Sequence, residues 1–451
     1  MQTGRVPAHF MHSVNLGLIG GGTVGSGVWT TLQRNGPLLG ARLGVEFQIS
    51  RVAVKSLEKA RLVEFPESIV TDNWRSVVED PAVQVVLELV GGKTVAREIA
   101  IRALELGKPV VTANKALLSA FGEELFATAA RHGTNLYYEA SVAGGIPIIK
   151  VIRESMVGNR ILQIAGIVNG TCNYILTRMK LEGAEFSTVL RDAQRLGYAE
   201  AEPSLDIDGH DAAHKTGILA SLAHGFWVRP ETIHTEGIRE VTPLDIQFAD
   251  RLGYTIKLLG MVKELTWQTG ENRGQRAIQI AVYPALVPNR HVLASVNHAF
   301  NAIAVSGDVV GETLYYGRGA GAEPTASSVL SDLADAALDL VHGCRRRVPP
   351  FVPHAREANL IPMAEVVSRY YVRLLVLDRP GVFAGVANIL ARAHIGISSI
   401  IQPEGHAGEV VPVILMIHDA TNAVMQKVLI EIEQLPMIKS KPVMFRVEPF
   451  E

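Results

Sequence analysis

One turn constrains this chain more than any other feature. A short apolar run over residues 14–19 ends at Gly20-Gly21-Gly22, and a helix-like stretch follows, so that Gly20, Gly22 and Gly25 take the spacing G-x-G-x-x-G. Between a strand and a helix, each glycine has its own task. The first permits the tight turn, the second lets the backbone approach a pyrophosphate, and the third lets the helix pack closely on the strand. The free N–H groups of the helix then face the anion. Alone, such a turn also serves geometry; its place after the first strand and before further βα units points to dinucleotide binding. Strand-like runs recur over residues 45–54, 83–89, 109–112 and 135–139, with helical patterns through residue 106 and over 121–131. This alternation predicts a parallel sheet.

The rest of the chain is too long for one such domain. Its 451 residues correspond to about three domains. From residue 147 the rhythm changes: residues 183–225 read as mostly helical around an acidic loop, and strand-like runs return at 277–283 and 302–305. A second glycine-rich turn spans residues 316–321, before a helical pattern over 326–342. The stretch from Arg345 to Pro353 is basic, then proline-rich, and reads as a linker with solvated charges. Beyond Tyr370 a strand (371–377), the turn Asp378-Arg379-Pro380-Gly381, a helix (382–393), strands at 397–402 and 410–417, a helix (420–434) and a last strand (441–447) make a βαββαβ order.

Composition removes several classes of function. With 43 Lys and Arg against 45 Asp and Glu the net charge is −2, which leaves no positive excess for nucleic acid or an anionic membrane. Two cysteines, Cys172 and Cys344, make no disulfide framework and no zinc-like pair, as befits a reducing, cytoplasmic setting. No apolar stretch reaches the roughly 18 residues of a membrane helix. The N-terminus lacks the order of a signal peptide; Met11 is an alternative start, with the first ten residues a loose extension.

Two segments carry chemistry. Val111-Thr-Ala-Asn-Lys115 begins at the C-terminal end of a predicted strand, where open α/β sheets bind ligands. Residues 197–215 gather Glu200, Glu202, Asp206, Asp208 and Asp211 with Lys215. Asp211 and Lys215 are four apart and share a helix face. That pair is either a surface ion pair worth a few tenths of a kcal/mol or part of a site in which carboxylates grip an amine while a lysine handles a proton. The segment lacks the Glu that an EF-hand needs at its twelfth position. The second strand ends without the acidic residue usual for NAD, and Lys55, Lys59 and Arg61 cluster there instead, which favours NADP(H) over NAD(H).

Several segments together resemble homoserine dehydrogenase. They are Gly-Leu-Ile-Gly-Gly-Gly-Thr-Val-Gly, Ala-Asn-Lys-Ala-Leu-Leu, Glu-Ala-Ser-Val-Ala-Gly-Gly-Ile-Pro, Asn-Gly-Thr-Cys-Asn-Tyr-Ile-Leu, Leu-Gly-Tyr-Ala-Glu…Asp-Gly-His-Asp-Ala-Ala-His-Lys and Tyr-Gly-Arg-Gly-Ala-Gly. They stand in that family's order over residues 14–343. The C-terminal unit resembles an ACT domain, a ferredoxin-like regulatory module. The resemblance implies a Rossmann-type dinucleotide-binding domain (14–146), an α/β catalytic and dimerisation domain (147–316), a return segment on the first domain (317–344), the linker (345–369) and the ACT domain (370–449). It leaves no room for the aspartokinase fused to some members.

The implied activity is reversible reduction of L-aspartate 4-semialdehyde to L-homoserine with NAD(P)H, toward threonine, methionine and isoleucine. Lys215 would donate the proton and Lys115 would assist beside the nicotinamide. Glu200 and Asp211 would bind the substrate, with Asp206 nearby. Gly20, Gly22, Thr23, Val24, Gly25, Lys55, Lys115, Gly197, Gly319 and Gly321 would contact the cofactor. Glu139 and the carbonyls of Val142, Gly144 and Ile146 would hold a structural Na⁺. A homodimer or homotetramer is expected, and threonine is the expected effector, near residues 378–381.

Two other readings stand beside this one. Cys172 would be the nucleophile of a cysteine-dependent semialdehyde dehydrogenase. Alternatively, the chain would be a non-catalytic dinucleotide and amino-acid sensor. His210 and His214 flank Asp211 and read as solvated or packing residues rather than metal ligands.

Overall fold

The computed structural model describes residues 12–267, 271–344, 346–355, 359–403, 406 and 408–450. Met11, the expected alternative start, and Arg345 of the linker lie outside the described residues.

Six parallel strands form the first sheet: β1 (His12–Ile19), β2 (Val45–Ala53), β3 (Val70–Thr71), β4 (Val85–Glu88), β5 (Val110–Thr112) and β6 (Leu136–Tyr137), in the order β3-β2-β1-β4-β5-β6. Helices cover both faces, so β4 is buried throughout and reads as an unbroken Val-Val-Leu-Glu run. The order reverses between β1 and β4, where Leu16 pairs with Val85 and Ile19 with Glu88. Open sheets bind ligands at such a point, beyond the strand ends.

The helix Ala322–Val341 returns to this sheet from far along the chain. Its Val329, Leu333 and Ala337 share a core with Leu16, Leu18 and Val28, each large apolar side chain contributing about 1.5–3 kcal/mol. The approach to the first helix, Thr23–Leu43, is close: a Cβ on Gly27 would lie 2.5 Å from the Ala322 carbonyl oxygen.

The second sheet is mixed. It contains β7 (Ile161–Ile167), β8 (His234–Thr235), β9 (Tyr254–Thr266), β10 (Arg276–Pro288), β11 (Phe300–Gly307) and β12 (Gly311–Arg318), and runs β12-β11-β7-β9-β10 with β8 paired to β10. The antiparallel pair β9–β10 keeps register from Tyr254↔Pro288 to Thr266↔Arg276. The helices that carry the acidic loop, Gly170–Glu182, Phe186–Arg195 and His210–His224, belong to this half.

The C-terminal unit has the expected βαββαβ order: β13 (Val367–Leu377), helix Val382–Arg392, β14 (Ile397–Ile401), β15 (Val410–Thr421), helix Asn422–Glu433 and β16 (Val443–Val447). Its strands run β16-β13-β15-β14, and both helices pack on one face through Val386, Ile389, Val428 and Ile432. The linker is not its only attachment. β16 pairs in parallel with β10 at Ala285↔Arg446 and Leu286↔Val447, which makes one continuous sheet. Ion pairs, each with at least one buried partner, cross the same seam: Arg446 Nη1 to Glu236 Oε2 at 2.7 Å, Arg373 Nε to Asp245 Oδ1 at 2.7 Å, and Lys263 to Glu448. The proline-rich linker packs as well, with Phe351 against the rings of Phe126 and Trp227 and the Pro350 carbonyl accepting from Tyr138 Oη.

Candidate active site

The glycine-rich turn has the geometry its spacing predicts. Gly20 takes φ +113°, and a Cβ there would lie 2.4 Å from the Leu89 carbonyl oxygen. A Cβ on Gly25 would lie 1.9 Å from the Gly20 carbonyl oxygen, so only glycine lets the helix close on the strand. Gly22 caps the helix and faces open space within 4 Å. A cleft of about 610 Å³ opens there, lined by Gly20, Gly22, Thr23, Lys55, Lys59 and Arg61 among others. Arg61 donates to the carbonyls of Ser56 and Leu57, folding the loop after β2, while Lys55 and Lys59 are exposed. Val24 instead packs partly buried on the core beneath the turn.

The second part of the site forms where three helices begin. Asn114 caps the helix Lys115–Arg131 by accepting from Leu117 N–H at 3.0 Å, which sets Lys115 just beyond the end of β5. Asn169 caps Gly170–Glu182 through Cys172 N–H at 2.8 Å. The helix His210–His224 carries Asp211 and Lys215 one turn apart, as their spacing predicts.

Asp211 is the hub. Its Oδ1 lies 3.0 Å from Lys115 Nζ and its Oδ2 lies 2.8 Å from Lys215 Nζ. Asn169 Nδ2 donates to Asp211 Oδ2 at 2.9 Å and to Asp206 Oδ1 at 2.7 Å. Burial alone would raise the Asp211 pKa, but the two ammonium groups outweigh it and hold the carboxyl well below the usual carboxylate range. Asp206, half-buried beside this anion, is raised, chiefly by burial. Lys215 is 8% exposed and also donates to the Val168 carbonyl at 2.7 Å. An ammonium has three protons; two are taken, and the third has no acceptor among the described residues.

The other expected residues take no part in this hydrogen-bonded network. Glu200 is exposed, and its carboxylate joins no bond or ion pair among the described residues. Gly197 is exposed at φ +77°, just after the helix Phe186–Arg195. Gly319 lies under Asn301, whose Nδ2 would be 2.0 Å from a Cβ there, and Gly321 (φ +121°) opens the return helix. His210 is exposed, and His214 is half-buried with Nδ1 unpartnered.

Glu139 is 1% exposed and accepts from the N–H groups of Ile149 and Lys150 at 2.8 Å each. Burial pushes its pKa up to about 7 against those two donors. Ala143 and Gly144 both take positive φ (+55° and +43°), which bends the loop through Val142, Gly144 and Ile146. A Cβ on Gly144 would meet the Gly319 carbonyl at 2.6 Å, so this loop and the second glycine-rich turn fit as one piece.

Cys172 is fully buried, and its thiol donates to the Asp206 carbonyl at 3.2 Å. Burial, reinforced by Asp206 and Asp211, raises its pKa well above the usual value. A nucleophilic cysteine needs the opposite environment. Sequence reasoning passed over Asn114 and Asn169, although both stood in the segments it singled out; an Asn just before a helical run is the signal.

A doubly wound dinucleotide domain whose Lys115, at the C-terminal edge of the sheet, meets the buried Asp211–Lys215 pair of the mixed-sheet half defines a nicotinamide-dependent oxidoreductase. The model of the family described as homoserine dehydrogenase matches residues 147–334, and that of the homoserine dehydrogenase NAD binding domain matches residues 20–139. The chain belongs to the homoserine dehydrogenase family. It is 41% identical to the homoserine dehydrogenase of Pseudomonas aeruginosa over 97% of this chain and 99% of that one. The crystal structure of a homoserine dehydrogenase from Thiobacillus denitrificans superposes with a TM-score of 0.89 at 42% identity, over 97% and 99% of the two chains. A hyperthermophilic archaeal homoserine dehydrogenase in complex with NADPH matches with a TM-score of 0.60 at 27% identity, over 72% of this chain and 98% of that one. Among the described residues no helix is long and apolar enough to cross a membrane.

Proposed function

We propose that this chain interconverts L-aspartate 4-semialdehyde and L-homoserine, using NADP(H) in preference to NAD(H). The observation that carries the reading is Asp211 holding Lys115 and Lys215 on its two oxygens. The dinucleotide, when bound, supplies the hydride. As the carbonyl carbon receives it, negative charge builds on the aldehyde oxygen. Lys215 stabilises that charge with its uncommitted N–H and delivers the proton. Lys115 adds a second positive charge. The substrate's ammonium is taken by Asp206 and by Glu200, whose exposed carboxylate has no partner among the described residues, while Asp211 orients both lysines.

The glycine-rich turn, with Gly20, Gly22, Thr23 and Gly25, takes the pyrophosphate. Lys55 and Lys59 take the 2′-phosphate, a preference supported by the absence of an acid at the end of β2. Glu139 and the carbonyls of Val142, Gly144 and Ile146 hold a monovalent cation. One buried carboxylate and backbone oxygens are a donor set of the hard kind. The Gly144 and Ile146 oxygens each accept one bond, from Ser328 Oγ and Ile148 N–H, which leaves a lone pair on each.

The C-terminal unit acts as an ACT domain that takes threonine beside Asp378, Arg379 and Gly381, and the enzyme works in the cytoplasm as a homodimer or homotetramer. The test follows absorbance at 340 nm with L-homoserine and either NADP⁺ or NAD⁺, with and without threonine. Faster reduction of NADP⁺, slowed by threonine, is expected. No reduction of either cofactor, with the semialdehyde and NADPH also inert, would overturn the reading.

A further inference from the structure

At the end of β4 stands a carboxylate that the reaction as proposed does not use. Glu88 is fully buried, and among the described residues no lysine or arginine pairs with it. Burial raises its pKa, while Thr112, the N–H groups of Val90 and Gly91, and Asn114 pull it back. Thr112 Oγ1 donates to Oε2 at 2.6 Å and Val90 N–H donates to Oε1 at 3.0 Å.

Two chains of contacts leave this group. In one, the Thr112 hydroxyl oxygen accepts from Asn114 N–H at 3.0 Å. Asn114 in turn caps Leu117 N–H at 3.0 Å and donates from Nδ2 to the Gly92 carbonyl at 2.7 Å. Lys115 is the next residue. In the other, Val90 and Leu89 stand against the glycine-rich turn, where a Cβ on Gly20 would meet Leu89 O at 2.4 Å and Val90 N at 3.0 Å. Gly91 and Gly92 join the two chains at φ +73° and +72°.

We infer that Glu88 is a positioning residue for the reaction: through Thr112 and Asn114 it fixes the helix start that carries Lys115, and through Val90 it fixes the cleft wall beside Gly20. One buried acceptor thereby sets the distance between cofactor and lysine. The inference rests on Lys115 acting at the substrate as proposed above. It also explains why an acceptor is needed on both oxygens. A glutamine in place of Glu88 turns an NH₂ toward either Thr112 or Val90, so one of these donors loses its acceptor.

The test is steady-state kinetics on Glu88→Gln, Thr112→Val, Lys115→Ala and the Glu88→Gln/Lys115→Ala double variant, with thermal unfolding as a folding control. Glu88→Gln is expected to lose at least ten-fold in kcat and to raise KM for NADPH several-fold. Thr112→Val is expected to lose kcat with KM for NADPH near wild type, because it breaks one chain only. The double variant should turn over no more slowly than Lys115→Ala. Kinetics of Glu88→Gln within two-fold of wild type, or losses that multiply in the double variant, would overturn the inference. If Glu88→Gln does not fold, Thr112→Val decides, and wild-type kcat there refutes it. Wild-type turnover in Lys115→Ala would remove the underlying reading of the site, independently of Glu88.

Discussion

Asp211 and Lys215 face one another across a single helical turn, 2.8 Å apart, and the other oxygen of the same carboxylate holds Lys115 at 3.0 Å. One acid therefore fixes two cations that come from different halves of the molecule. Lys115 starts a helix of the parallel-sheet domain, and Lys215 lies on a helix packed on the mixed sheet. The active site closes only when the two halves are in register.

Asp211→Asn tests that dependence. It removes a buried partner from two lysines, and such a loss costs on the order of 3 kcal/mol of stability. Turnover should fall at least 100-fold while the affinity for NADPH, measured by fluorescence titration, stays within about two-fold, because the glycine-rich turn is untouched. Parallel loss of turnover and cofactor affinity would show that the carboxylate serves the fold alone.

The burial of Cys172 predicts that turnover does not need it. Cys172→Ser should keep kcat within about two-fold of wild type, and iodoacetamide should label exposed Cys344 and spare buried Cys172 in the folded protein. Inactivation that tracks labelling of Cys172 would revive the cysteine-dependent reading.

The parallel sheet and the C-terminal unit were legible in the sequence because their signals are local. Apolar runs alternate with glycine turns in one, and the Asp378–Gly381 turn separates a strand from a helix in the other. β9 was not legible. Its Lys257, Gly260 and Lys263 interrupt the apolar pattern for reasons that lie far off in the chain. Buried Lys257 donates to Val296 O and Asn173 Oδ1, and burial pushes its pKa down to about 7. Gly260 makes room for Thr216, whose Oγ1 would be 2.1 Å from a Cβ. In the site, the helical spacing of Asp211 and Lys215 gave their geometry directly. That Asp211 also takes Lys115, across nearly a hundred residues, follows only from the packing of the two halves.

The seam between the catalytic half and the C-terminal unit should unfold together with both. Arg446 is fully buried, pairs with Glu236 and with Asn422 Oδ1 at 2.8 Å, and lies 4.7 Å over the Tyr283 ring. Burial would raise Glu236, but His234 and Arg446 together hold it down at about 2. Arg446→Met should lower stability by about 3 kcal/mol, while the wild type unfolds in one transition by both far-UV circular dichroism and tryptophan fluorescence. An earlier, separate transition of the C-terminal unit would contradict the continuous sheet.

Glu139 should make stability depend on pH, and the proposed cation should make it depend on sodium. Its folded value of about 7 lies above the roughly 4.3 of an unfolded chain, so the folded state binds more protons between those values. Its contribution is fully present below pH 4.3 and is lost as pH rises through 7, roughly 4 kcal/mol in all. A cation that binds the ionised form restores it. Sodium chloride should therefore raise Tm relative to choline chloride at pH 8 and have no such effect at pH 5. Equal effects of the two salts at both values would argue against a cation at this loop.

The most direct test of the whole account is the turnover of Lys215→Met with saturating L-homoserine and NADP⁺, read at 340 nm beside NADPH affinity. The expected result is a fall in kcat of at least 1,000-fold, in the range that loss of a proton-transfer group produces, with NADPH affinity unchanged. Turnover near that of the wild type would contradict it, because no other group among the described residues combines a free N–H with the double anchor on Asp211 and Val168.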